Sequence, residues 1–163
     1  MEVEKFMQEA VDLSKQAIDQ YDGGPFGCVI VKDGKVIGRG WNHVLATCDP
    51  TAHAEVMAIR DACKNLKSPE LVGCEMYTSS EPCPLCLAAA YWACIGKIYY
   101  ANTVADSTAV GYEDAIIYEE FRKPMEERKI EMVHLRNADA IKVFDYWREK
   151  NSGNADESSA TNS

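Results

Sequence analysis

Two short runs of this chain carry side chains able to do chemistry together: Thr51-Ala-His53-Ala-Glu55 and Glu81-Pro-Cys83-Pro-Leu-Cys86. Cys83 and Cys86 are three residues apart, which puts both sulfurs on one face at the start of a helix. The unpaired N–H groups and dipole of a helix start favour the thiolate, the form that binds a metal. His53 reads as a first-turn residue of its own helix. One imidazole and two thiolates balance the charge of Zn²⁺ and are one ligand short of a closed structural site, which leaves a position for water. The metal brings the pKa of such a water near neutrality. Glu55 stands two residues from His53, off its helix face, and is expected beside the metal rather than on it. A carboxylate there can take the proton of the water and hand it to a leaving nitrogen.

Each run alone has a plainer explanation. A histidine near a helix start is commonly a cap, and a glutamate in the same turn is commonly solvated. A C-x-x-C at a helix start is also the pattern of a thioredoxin-like redox pair. Together and in this order, with prolines flanking the first cysteine, the two runs match the H-x-E and P-C-x-x-C signature of zinc nucleobase deaminases. Cys28, Cys48, Cys63, Cys74 and Cys94 have no such company and are expected as buried thiols acting as small apolar side chains. An odd total of seven, scattered in a chain whose first residues show no export signal, argues against a disulfide framework.

The elements that must position these residues can be read from apolar spacing. Val3, Phe6, Met7, Ala10, Val11, Leu13, Ala17 and Ile18 repeat at helical intervals, ended by Gly23-Gly24. Two apolar runs, Phe26–Val31 and Val36–Asn42, flank Asp33-Gly34 and predict a hairpin. Asp49-Pro50-Thr51 looks like a capped helix start, and the helix would carry His53 and Glu55. A third strand is expected over Cys74–Ser79, a helix from Pro82 to Cys94, a fourth strand over Lys97–Ala101 and a short helix over Ala115–Glu120. Lys129–Leu135 reads as a fifth strand, followed by a last helix to about Lys150. Strands alternating with helices predict a three-layer α/β/α domain over 1–150 with helices on both sheet faces. Residues 151–163 are polar and are expected to be a disordered tail.

Hydrophobic residues make up 47% of the 163, ordinary for one globular domain. No apolar run approaches the roughly 18 residues of a membrane span, and the charged opening lacks a secretory signal. The expectation is a soluble, cytoplasmic protein. A net charge of −9 disfavours a phosphate backbone, which is bound largely by Lys and Arg, so a small neutral substrate is expected rather than nucleic acid.

With both metal motifs in place, residues 1 to about 150 resemble the cytidine deaminase-like superfamily. Within it the chain is most similar to the small bacterial-type guanine deaminases. The runs that carry this are Gly23-Gly-Pro-Phe-Gly27, Asp49–Glu55, Tyr77–Cys86, Tyr91-Trp92-Ala93, Gly111–Tyr118 and Lys123–Arg128. The resemblance implies a five-stranded mixed sheet and a homodimer in which the C-terminal segment, 137–150, crosses to cover the partner's active site. It implies that Phe26 stacks on a purine, that Asn42 hydrogen-bonds its edge, and that Asp114 addresses another polar edge. On residue type alone, Phe26 is equally a core residue, Asn42 a turn residue and Asp114 a helix cap. Trp92 suits the pocket or the core. The implied reaction is the hydrolysis of guanine to xanthine and ammonia with one zinc per chain and Glu55 as proton shuttle. No aromatic follows Trp147, where the resemblance would put a lid residue, so a guanosine deaminase stays open, as does a cytosine deaminase. A tRNA adenosine deaminase shares several of the runs, but the acidic charge opposes it. A thiol–disulfide oxidoreductase built on Cys83 and Cys86, and a zinc-stabilised interaction domain, are the readings from other classes.

Overall fold

The computed structural model describes residues 2–155. Helix α1 (Glu2–Asp19) buries Phe6, Ala10, Leu13 and Ala17 and turns Val3, Val11 and Ile18 outward, the one-sided pattern its apolar spacing predicts. Strands β1 (Gly27–Lys32) and β2 (Lys35–Trp41) form the expected antiparallel hairpin. Asp33 and Gly34 take φ values of 49° and 72°, as a tight hairpin turn requires. β3 (Glu75–Ser80) pairs antiparallel with β1, and β4 (Lys97–Asn102) pairs parallel with β3.

The sheet is therefore mixed, in the order β2-β1-β3-β4, with four strands rather than the expected five. The missing one is Lys129–Leu135. Among the described residues it joins no ladder, and Ile130, Met132, Val133 and Leu135 are exposed. Its apolar residues break strict alternation at Met132-Val133, and an extended segment without a hydrogen-bonded neighbour has nothing to hold it as a strand.

Alternation along β1 sorts the core into two layers. Val29 and Val31, with Tyr77 of β3, pack on Phe6 and Leu13 of α1. Cys28 and Ile30, with Met76, face Ala54, Ala58 and Ala62 of α3 (Ala54–Leu66) and Ala90 of α4 (Pro84–Trp92). Helices thus cover both faces of the sheet. The small alanines along α3 let that helix lie close on β1 and β2, which fixes where its first turn ends up.

Two helix starts differ from the sequence reading. Asp49-Pro50-Thr51 is a turn, because Asp49 Oδ1 accepts both the Thr51 N–H (2.8 Å) and its hydroxyl (2.7 Å). The helix begins three residues later, with His53 at its N-cap position. Pro82 likewise lies outside α4, whose N-cap residue is Cys83 and whose first helical residue is Pro84. Two helices were not anticipated: α2 (Val44–Thr47) and α5 (Val104–Ala109). The short helix after α5 is α6 (Asp114–Arg122).

The chain divides into two compact units, Met1–Arg122 and Lys123–Ser163. The second unit holds a 3₁₀ turn, Met125–Glu127, and α7 (Ala138–Ala155). α7 continues through residues 151–155, where the polar tail was expected to begin; the rest of that tail, 156–163, lies outside the described residues. No helix among the described residues is long and apolar enough to cross a membrane. Of the five cysteines expected as buried thiols, Cys28 and Cys74 are buried and Cys63 is partly so. Cys48 and Cys94 are exposed, at φ values of 52° and 57°, because each follows a helix end rather than facing a core.

Candidate active site

The two signature runs meet as the starts of α3 and α4. His53 (φ −70°, ψ 155°) and Cys83 (φ −66°, ψ 169°) are both extended residues immediately before their helices, and neither spends its side chain on a capping bond. Cys86 follows in the first turn of α4, fully buried. His53 Nδ1 lies 3.5 Å from Cys83 Sγ and 3.5 Å from Cys86 Sγ. Zinc–nitrogen bonds of about 2.0–2.1 Å and zinc–sulfur bonds of about 2.3 Å at tetrahedral angles give an N···S edge of about 3.6 Å. The three ligand atoms all lie within 4.8 Å of one another, so this donor set fits a single zinc ion. Both helix starts point their positive dipole ends at it, which favours thiolate.

Charge is shared unevenly between the thiols. Hydrogen bonds from Cys86 and His53 bring Cys83 down to about 4, while its bond to Cys83, burial and the nearby Glu55 push Cys86 up. The hydrogen bond to Cys83 raises the His53 pKa against the opposing effect of burial. A divalent cation among them would draw both sulfurs to thiolate.

Glu55, in the first turn of α3, is 4% exposed. Its Oε1 accepts the Thr78 hydroxyl at 3.1 Å, and Cys86 Sγ stands 3.2 Å from Oε2. Burial raises its pKa above the usual carboxylate range, and the hydrogen bonds from Cys86 and Thr78 act against that. The carboxylate therefore stands against the ligand cluster without belonging to it.

A cavity of about 280 Å³ opens over this cluster, lined by His53, Glu55, Cys83 and Cys86 and also by Phe26, Asn42 and Asp114. All seven residues singled out from the sequence border one space. Phe26 and Asn42 arrive as a pair from the hairpin's end, where the Asn42 N–H donates to the Phe26 carbonyl at 3.0 Å. Asn42 Oδ1 accepts the Val44 N–H at 3.1 Å, which leaves its amide NH₂ as the group on offer to a ligand. Gly23 is required beside it, since a Cβ there would overlap Asn42 Oδ1. Asp114, the first residue of α6, has its pKa raised by burial and by the Cys83 charge.

Several contributors were not picked out from the sequence. Thr78 is a buried polar residue on the same face of β3 as Met76 and Ser80, and in a strand that ends Thr78-Ser79-Ser80 its hydroxyl is not marked out from its neighbours. Tyr112 also lines the cavity, with its ring edge-on to Phe26 at 4.7 Å and 84°. Its only signal in the sequence is its place in the Gly111–Tyr118 run. Trp92, expected in the pocket or the core, is 86% exposed at the end of α4. Helical position there faces away from the sheet.

The family model for the cytidine and deoxycytidylate deaminase zinc-binding region matches residues 1–102. Guanine deaminase of Bacillus subtilis is 46% identical over 148 residues, 91% of this chain and 95% of that one. An X-ray structure of the Bacillus subtilis guanine deaminase has a TM-score of 0.86, covering 90% of this chain and 93% of the other. A tRNA-specific adenosine deaminase of Aquifex aeolicus is 39% identical over 98 residues, 60% of this chain and 64% of that one.

Proposed function

The chain belongs to the cytidine and deoxycytidylate deaminase zinc-binding family, and on that premise we propose that it hydrolyses guanine to xanthine and ammonia. One observation carries the reading: a single cavity is bordered at once by the metal-fitting trio, the buried Glu55, and the aromatic, amide and carboxylate groups that a purine base calls for. The likeness to a guanine deaminase over 91% of this chain and 95% of that one supports the choice of base.

His53, Cys83 and Cys86 would hold a zinc ion, which when bound would bring the pKa of a water at the site near neutrality. Glu55, buried beside that trio, would accept a proton from the attacking water and pass it to the departing amino nitrogen, so that water is consumed and ammonia leaves. Thr78 fixes Oε1 of Glu55, and Oε2, beside Cys86 at the edge of the trio, is the oxygen placed to move protons. Phe26 offers a π face to the base. Asn42 donates through its NH₂ to a ring acceptor such as N7 or O6, and Asp114 accepts from a ring N–H.

The cavity volume of about 280 Å³ lies at the lower edge of the roughly 300–1,000 Å³ usual for ligand sites, which favours a bare base over a nucleoside. We place the protein as a homodimer whose segment 137–150 crosses to the partner. The exposed Ile141, Val143, Phe144, Tyr146 and Trp147 along α7 support this, being more apolar surface than a lone helix keeps in water.

Ammonia release over guanine, guanosine, cytosine, cytidine and adenine tests the proposal. Guanine is expected to give the highest kcat/KM. A higher value for guanosine overturns the base assignment, and the absence of release from any of them overturns the deaminase reading.

A further inference from the structure

We propose that Tyr118 is a positioning residue for Asp114, holding α6 to the peptide just before Cys83. The inference rests on the reading of the cavity as an amino-heterocycle site. No residue of α6 is buried, so core packing does not hold this helix in place. Tyr118 Oη donates to the Pro82 carbonyl at 2.9 Å. Asp114 and Tyr118 are four apart on α6, one turn along the same face, so the bond fixes the turn that carries the carboxylate.

The same strip of chain holds the preceding helix. Val104 N–H donates to Glu81 Oε2 at 3.1 Å, and the buried Ser80 and Ser107 hydroxyls pair at 2.7 Å. Ser80, Glu81 and Pro82 thus each fasten part of the α5–α6 segment. Pro82 has no N–H, so its carbonyl is the one backbone group that residue can offer α6. Through it, the wall that carries Asp114 takes its position from the residue next to Cys83. An error of about 1 Å at a substrate-orienting group costs up to roughly a hundredfold in rate. The metal trio lies on the starts of α3 and α4, outside α6, and is left untouched by a loosened α6.

The test is Tyr118→Phe in the full-length, zinc-loaded protein, measured alone and combined with Asp114→Ala. The expected result is wild-type zinc content and a roughly five- to tenfold lower kcat/KM on guanine, the scale of one lost hydrogen bond. Most of the change should appear in KM, and the added substitution should cost nothing more in the Asp114→Ala background. A Tyr118→Phe enzyme within twofold of wild type overturns the assignment. So does an equal loss in both backgrounds, which would make Tyr118 act through something other than Asp114, and so does a loss of zinc. A lower thermal midpoint with unchanged KM would make the bond merely structural and overturn it as well. If the wild-type enzyme prefers another amino-heterocycle, the guanine reading fails, and the same pair of variants measured on that compound still decides the role of Tyr118.

Discussion

Glu55 and Cys86 nearly touch, yet removing each should fail differently. Glu55→Gln preserves shape but cannot cycle a proton, so zinc should stay bound while kcat falls at least roughly a hundredfold. Cys86→Ala deletes a ligand, so zinc and activity should go together. Metal analysis beside turnover separates the two; zinc retained in full by Cys86→Ala would remove that residue from the ligand set. These residues were legible because the chemistry demands their types at fixed spacing. Phe26, Asn42 and Asp114 were legible only through resemblance, since an aromatic, an amide and a carboxylate each have ordinary structural uses. Thr78 gave no such sign. A threonine in a strand announces only that the strand exists, and its bond to Glu55 spans 23 residues that no local pattern connects.

At the scale of elements, strong periodicity specifies structure well, whereas turn and cap residues have more than one use and specify it poorly. α1 and the β1–β2 hairpin emerged much as read, while Asp49 bonded to Thr51 and capped nothing. Lys129–Leu135 has the apolar content of a strand but joins no ladder among the described residues, since pairing depends on a neighbour. α5 is short and apolar at few positions, so its signal was its cap. Thr103 accepts the Asp106 N–H at 3.3 Å, and Asp106 accepts the Thr103 N–H at 2.8 Å, a reciprocal capping box. Thr103→Ala should cost about 1 kcal/mol. For a protein of this size that is a drop of about 2–4 °C in Tm, measurable by calorimetry, with zinc content unchanged. An unchanged Tm would mean α5 is held by its bonds to Ser80 and Glu81 alone.

At the scale of the whole molecule, an ion that binds only the folded chain stabilises it by mass action, about 4 kcal/mol when free metal exceeds its Kd a thousandfold. Chelation should therefore lower Tm by on the order of 10 °C, and added zinc should restore it. A midpoint indifferent to chelator would argue that the trio holds no ion in the folded protein. His53 and Cys83 stand 30 residues apart, and the chain between them is α3 and β3, which supply much of the core. An ion gripped at both ends closes that stretch into a ring, and the ring opens when the metal leaves. Amide protons throughout it should then exchange as one block, slowly with the ion and quickly without. In a cell short of zinc, the whole protein would unfold more readily and meet proteases, so its lifetime, as much as its turnover, would follow the metal supply.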